Sequence, residues 1–162
     1  MPSYPKDWIR DLVDRKLPWQ LTKQMMSEFK DENRFDHYLA VLQERVPWDD
    51  AILLPLGEHL FIVQKEGGER VVKCDCGQEF GDYRENWKLE ALVYIRDTRE
   101  KLDEIYPGHR KCDPEWMELR EFYCPGCATQ LEVEAVTPGY PLIFDFLPDL
   151  EVFYRDWLGR EL

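Results

Sequence analysis

Two pairs of closely spaced cysteines, Cys74 with Cys76 and Cys124 with Cys127, constrain this chain more than any other feature. A structural zinc site needs four thiolate or imidazole ligands at the corners of a tetrahedron, usually delivered as two close pairs from two turns. Cys124-Pro125-Gly126-Cys127 has the two-residue spacing that lets both sulfurs face one ion while turn amides donate to them. Cys74-Asp75-Cys76-Gly77 has a one-residue spacing, less usual for zinc, which Gly77 can compress by taking a backbone conformation closed to other residues. Residues 77–123 separate the pairs, more than a minimal zinc ribbon holds, so an insertion must fill the gap. Loop-closure entropy grows only slowly with length and does not forbid the meeting. Three readings stand: a structural zinc, a thiol redox pair at Cys124 and Cys127, or inert buried thiols. Two close pairs favour zinc, and a closed four-thiolate site leaves no position for a reactive water. Cys112 has no cysteine nearby and reads as a free thiol. With His109 it forms a weaker alternative metal pair, while His37 and His59 read as packing or surface residues.

The rest of the composition excludes several classes. With 162 residues, 44% hydrophobic and 33% charged, the chain reads as a soluble globular protein able to bury a core. A formal net charge of -12 works against a phosphate backbone, so no nucleic-acid partner is expected. The longest apolar run, 51–56, is short and broken by Pro55, so no membrane span is expected. The first residues carry no secretory pattern, which points to the cytoplasm, where disulfides are disfavoured. There is no phosphate-binding glycine loop, no dinucleotide fingerprint and no paired histidines of a metalloprotease. Asp49 and Asp50 fit a turn, and Asp145 and Asp149 fit the approach to a helix, better than they fit acid–base work. No catalytic residue is assigned.

Along the chain, periodicity predicts an α+β fold: a zinc-ribbon-like antiparallel β domain with N-terminal helices and a C-terminal helix. Trp8, Ile9, Leu12 and Val13 share one helical face, as do Leu21, Met25, Met26 and Phe29 after Pro18. Phe35, Tyr38, Leu39, Leu42 and Val46 form the clearest stripe, with Asp31 and Asn33 as capping candidates and Pro47 as the stop. Strands are predicted at 60–63 and 71–72, joined by a hairpin through Gly67-Gly68, and at 91–96, 120–123 and 130–136. A capping box at 97–100 opens a helix inserted within the sheet. A last helix after Pro148 carries Leu150, Phe153, Tyr154, Trp157 and Leu158 on one face and ends at Gly159. The expected parts are a helical extension over 1–47, a zinc-binding β-rich domain over 48–137 and a C-terminal connection and helix over 138–162, joined as one compact unit. Trp8, Trp19, Phe153, Tyr154 and Trp157 lie in the terminal parts, where exposed aromatics would signal protein partners.

Ordered segments at 42–50, 54–57, 74–77, 86–89, 104–107, 123–127 and 153–159 resemble the small gamma subunit of acetone carboxylase and its relatives, including acetophenone carboxylase. The resemblance runs from Phe35 to Gly159. It implies an accessory subunit of a multisubunit, ATP-dependent ketone carboxylase that joins bicarbonate to a ketone and yields a β-keto acid. ATP, further metal and the reaction site are then expected on the larger subunits, which become this chain's partners in a hetero-oligomer. The implied zinc ligands are Cys74, Cys76, Cys124 and Cys127. One departure is Ala128, where knuckles of this kind often place glycine. A different class of reading, a free-standing zinc-ribbon adaptor that binds proteins through its acidic and aromatic surface, is separated from the first by whether larger chains co-purify in fixed ratio.

Overall fold

The computed structural model describes residues 3–28, 31–108 and 111–162. Phe29 and His109 lie outside the described residues. By internal contacts the chain divides into two units, Met1–Ile52 with Pro148–Leu162, and Leu53–Leu147. The fold is α+β, and among the described residues no helix is long and apolar enough to cross a membrane.

In the first unit, helices α1 (Lys6–Val13), α2 (Trp19–Ser27) and α3 (Arg34–Gln43) begin after Pro5, Pro18 and Asn33. The two prolines suit helix starts, where a missing N–H costs nothing. Tyr4, Ile9, Met25 and Val41 form the buried cluster, with Trp8, Val13, Leu17 and Tyr38 packed against it. Asn33 makes no side-chain capping bond, and Asp31 instead accepts the backbone N–H of Tyr4 at 3.0 Å, so neither capping candidate caps. Helix α3 ends at Gln43, short of Val46, because the chain must leave the helical conformation ahead of Pro47.

The C-terminal helix is also shorter than its stripe suggests. Asp149 caps α5 (Leu150–Val152) by accepting the Val152 N–H at 3.0 Å, and a π-helical turn follows over Phe153–Trp157. The wider turn, closed by Leu158 N–H onto the Phe153 carbonyl, rotates the face by one residue. Leu150 and Tyr154 are buried while Trp157 is 78% exposed, which corrects the single-face expectation. Phe35 meets Phe153 edge to face at 5.2 Å, and Arg160 pairs with Asp36.

The second unit holds the sheets. Strands β1 (Ala51–Pro55), β2 (Leu60–Gln64), β3 (Arg70–Cys74) and β4 (Glu79–Asp82) pair in chain order. The 51–56 run therefore supplies an edge strand, and β4, too short and glycine-interrupted to show alternation, was not predicted. In the β2–β3 hairpin only Gly68 takes a positive φ, +84°; Gly67 does not. A second, three-stranded sheet orders β5 (Leu92–Arg96), β6 (Glu118–Tyr123) and β7 (Gln130–Val136), with helix α4 (Arg99–Asp103) inserted after β5. Thr98 caps α4 by accepting the Lys101 N–H, and buried Arg96 ties the insertion to β6 through Glu121 at 2.8 Å and Glu104 at 2.6 Å.

A 3-10 turn at Trp87–Glu90 bridges the sheets. Phe80 of β4, Trp87 and Phe122 of β6 form an edge-to-face chain with centroids 6.0 Å apart at each step. Lys88, next in sequence, is fully buried, and its ammonium bonds Glu132 at 2.7 Å, Glu134 at 2.5 Å and Asp145 at 3.2 Å. Those bonds keep the ammonium charged despite desolvation and hold its pKa above the ordinary lysine value. Replacing Lys88 with Met leaves three carboxylates facing one another, so denaturant unfolding should show a loss of about 3 kcal/mol, the low end for a broken buried pair because Asp145 is half exposed.

Candidate metal centre

Each cysteine pair sits in a hairpin turn, one in each sheet. At the end of β3, the Cys74 N–H donates to the Gln78 carbonyl at 2.8 Å and the Gly77 N–H to the Cys74 carbonyl at 2.9 Å. Gly77 adopts φ +102°, the conformation that lets a one-residue spacing turn both sulfurs the same way. Between β6 and β7, the Cys124 N–H donates to the Thr129 carbonyl at 2.9 Å and the Ala128 N–H to the Cys124 carbonyl at 2.8 Å. The Gly126 N–H points at Cys124 Sγ from 3.4 Å. Ala128 itself takes φ +59°, so the residue that departs from glycine does occupy the left-handed region.

The two turns interlock. A Cβ at Gly126 would lie 3.1 Å from the Gln78 Cβ and 3.4 Å from Cys76 Sγ, which explains the glycine without any appeal to its φ. The four sulfurs consequently lie within 4.8 Å of one another, with Cys74 to Cys127 at 3.9 Å and Cys76 to Cys124 at 3.6 Å. These separations are far beyond the roughly 2.05 Å of a disulfide. They match the roughly 3.8 Å between corners of a tetrahedron whose centre is about 2.3 Å from each sulfur. Cys74 and Cys124 are buried, Cys76 and Cys127 exposed. The donor set therefore fits a thiolate-bound metal ion, and the two hairpins with their turns give a zinc-ribbon-like arrangement.

The thiols differ in how readily they ionise. Burial pushes the Cys74 and Cys76 thiols above their ordinary range, so neither ionises readily without a cation. Cys127 runs opposite: its contact with the Thr129 hydroxyl at 3.2 Å brings it down to about 7. Next to the cluster, Asp75 lies 3.2 Å from Cys74 Sγ and 2.6 Å from His59 Nδ1. Thr129 and Gln78 are thus neighbours that sequence alone did not single out, and His59, expected as a packing or surface residue, joins them through Asp75. A threonine two residues after the last cysteine was the available signal for the first. The His59 contact arises from pairing of β2 with β3 and has none.

Other candidates fall elsewhere. Cys112 lies outside the cluster, its Sγ 3.6 Å from the Met117 carbonyl. Among the described residues, the other group with metal-ligand proximity is Glu132, Glu134 and Asp145, and the Lys88 ammonium already bonds all three. Asp149 is a helix cap.

Residues 46–158 match the model of the family described as acetone carboxylase gamma subunit. The chain is similar to the acetone carboxylase gamma subunit of Xanthobacter autotrophicus, 50% identical over 158 residues that cover 97% of this chain and 94% of that protein. It is also similar to the acetophenone carboxylase beta subunit of Aromatoleum aromaticum, 35% identical over 79 residues, 48% of this chain and 61% of that protein.

The left-handed Ala128 gives a direct check on the turn. Its Cβ costs about 1–2 kcal/mol there, partly offset by the extra unfolded-state freedom of glycine, about 0.4–1 kcal/mol. Ala128→Gly should therefore raise unfolding stability by about 0.5–1 kcal/mol, read from the denaturation midpoint at unchanged slope.

Proposed function

The chain belongs to the acetone carboxylase gamma subunit family, and from that premise we propose that it is the zinc-bearing accessory subunit of an ATP-dependent ketone carboxylase. The observation that carries this reading is the 50% identity to a gamma subunit along nearly the full length of both chains. The complex would act in the cytoplasm, joining bicarbonate to a ketone such as acetone or acetophenone to form a β-keto acid. Nucleotide and reacting groups would sit on larger subunits.

Cys74, Cys76, Cys124 and Cys127 would hold one zinc ion. With four thiolates the coordination is closed, so the ion contributes structure and no nucleophilic water. This chain's residues then do two things: they lock two hairpins into one rigid body, and they present that body to the larger subunits. Carboxylation passes through a carbanion-like species that water would quench, and a rigid subunit that closes an assembly helps to exclude water. No residue of this chain is assigned to bond making.

Three measurements test the reading. Expressed with its neighbours, the chain should co-purify with two or more larger subunits in fixed ratio and carry one zinc per chain. A lone monomer would favour the adaptor reading. The larger subunits purified without it should lose ketone carboxylation by about tenfold or more, equivalent to ~1.4 kcal/mol of barrier; a full rate without it would sink the accessory role. Because metal binding and folding are linked, Cys74→Ser or Cys124→Ser should abolish stoichiometric zinc and unfold residues 53–147 at temperatures where the parent is folded, as followed by circular dichroism.

A further inference from the structure

The two sheets have four edge strands, and three of them are guarded against pairing with another chain. Strand β1 ends in Pro55, which has no N–H to donate. Strand β4 is short, carries Glu79 and Asp82, and breaks register against β3. Strand β7 places Glu132 and Glu134 along its length. Charges, proline and bulges are the usual means of blunting an edge.

Over its first four residues strand β5 has none of these; its one charge, Arg96, closes the strand and is buried against Glu121. Its first four residues, Leu92, Val93, Tyr94 and Ile95, are 55%, 39%, 38% and 37% exposed, so apolar side chains on both faces of the strand meet solvent. One side of the strand is hydrogen-bonded to β6. On the other, among the described residues, no further backbone group bonds to it, and the Lys101 side chain reaches the Ile95 carbonyl at 2.9 Å. A row of four apolar residues on an unguarded edge is a ready template for an added strand.

We infer that β5 is the docking edge through which this chain receives an extended segment of a larger carboxylase subunit as a fourth strand beside β5, β6 and β7. The inference rests on the accessory-subunit reading. The edge selects an extended backbone over a helix, because only a strand satisfies a strand's outward N–H and C=O groups. Exposure on both faces asks for apolar residues at successive positions of the incoming segment, with alternate ones covering opposite faces. Charge argues against a second copy of this chain as occupant, since each copy carries a formal charge of -12, and favours a partner with a basic surround.

Hydrogen exchange by mass spectrometry on the free chain and on the assembled carboxylase tests this without any substitution. Amides of residues 92–96 should exchange about tenfold more slowly or better in the assembly. Val93→Lys and Tyr94→Lys, one on each face, should weaken assembly about tenfold or more while zinc content is kept, whereas Trp157→Ala, which removes a more exposed aromatic from the other unit, should not. Equal exchange of 92–96 in both states, or lysine variants that assemble like the parent, would overturn the docking edge alone. Concentration-dependent protection of 92–96 in the free chain would overturn it in favour of self-pairing. Failure of the parent chain to assemble with larger subunits would instead overturn the accessory-subunit reading, and the docking edge with it.

Discussion

Four sulfur atoms within 4.8 Å of one another are the contact on which the arrangement of residues 53–147 depends. Each sheet supplies one hairpin turn, and each turn is shaped by a residue in the left-handed region, Gly77 in one and Ala128 in the other. The cluster lies where the turns of the four-stranded and the three-stranded sheet meet, so a metal bound there would join the two into one body.

The remaining ties between the sheets run in parallel with that clamp. The aromatic chain Phe80, Trp87 and Phe122 fills the space between them, and Lys88 follows Trp87 directly, so one short turn delivers both an apolar wedge and a buried cation. Lys88 satisfies carboxylates from β7 and from Asp145, which draws the connection after β7 onto the sheet. Arg96 does the same for the α4 insertion. An acidic chain has carboxylates to spare, and Lys88 and Arg96 are buried cations on which two or three of them converge.

Much of this was legible from spacing and periodicity. The two cysteine pairs, the presence of three N-terminal helices and strand β7 follow from local pattern, because each is defined by residues a few positions apart, whereas the stripes misplace Met26 and Leu12, which are exposed, and omit buried Val41. Other features depend on partners distant in sequence. Asp31 was a plausible cap, but the Tyr4 amide claims its carboxylate. The position of Asp145 suits the approach to a helix, while its oxygens serve a lysine 57 positions away. The π-turn at Phe153–Trp157 shifts Trp157 out of the buried face by a single residue, which a period of 3.6 cannot anticipate. Strand β4 has four residues with a glycine among them and offers no alternation to detect.

Function lies one level further out. Family membership makes the chain kin to carboxylase subunits, and its own groups suit the proposed holding and presenting, with a four-cysteine cluster between the sheets and an exposed apolar edge on β5. X-ray absorption at the zinc edge of the purified protein reads the ligand set of the cluster. A zinc held by the four cysteines gives a first shell of four sulfurs at about 2.3 Å with no nitrogen or oxygen scatterer. A shell containing an oxygen or nitrogen ligand, or fewer than four sulfurs, would contradict a closed structural clamp.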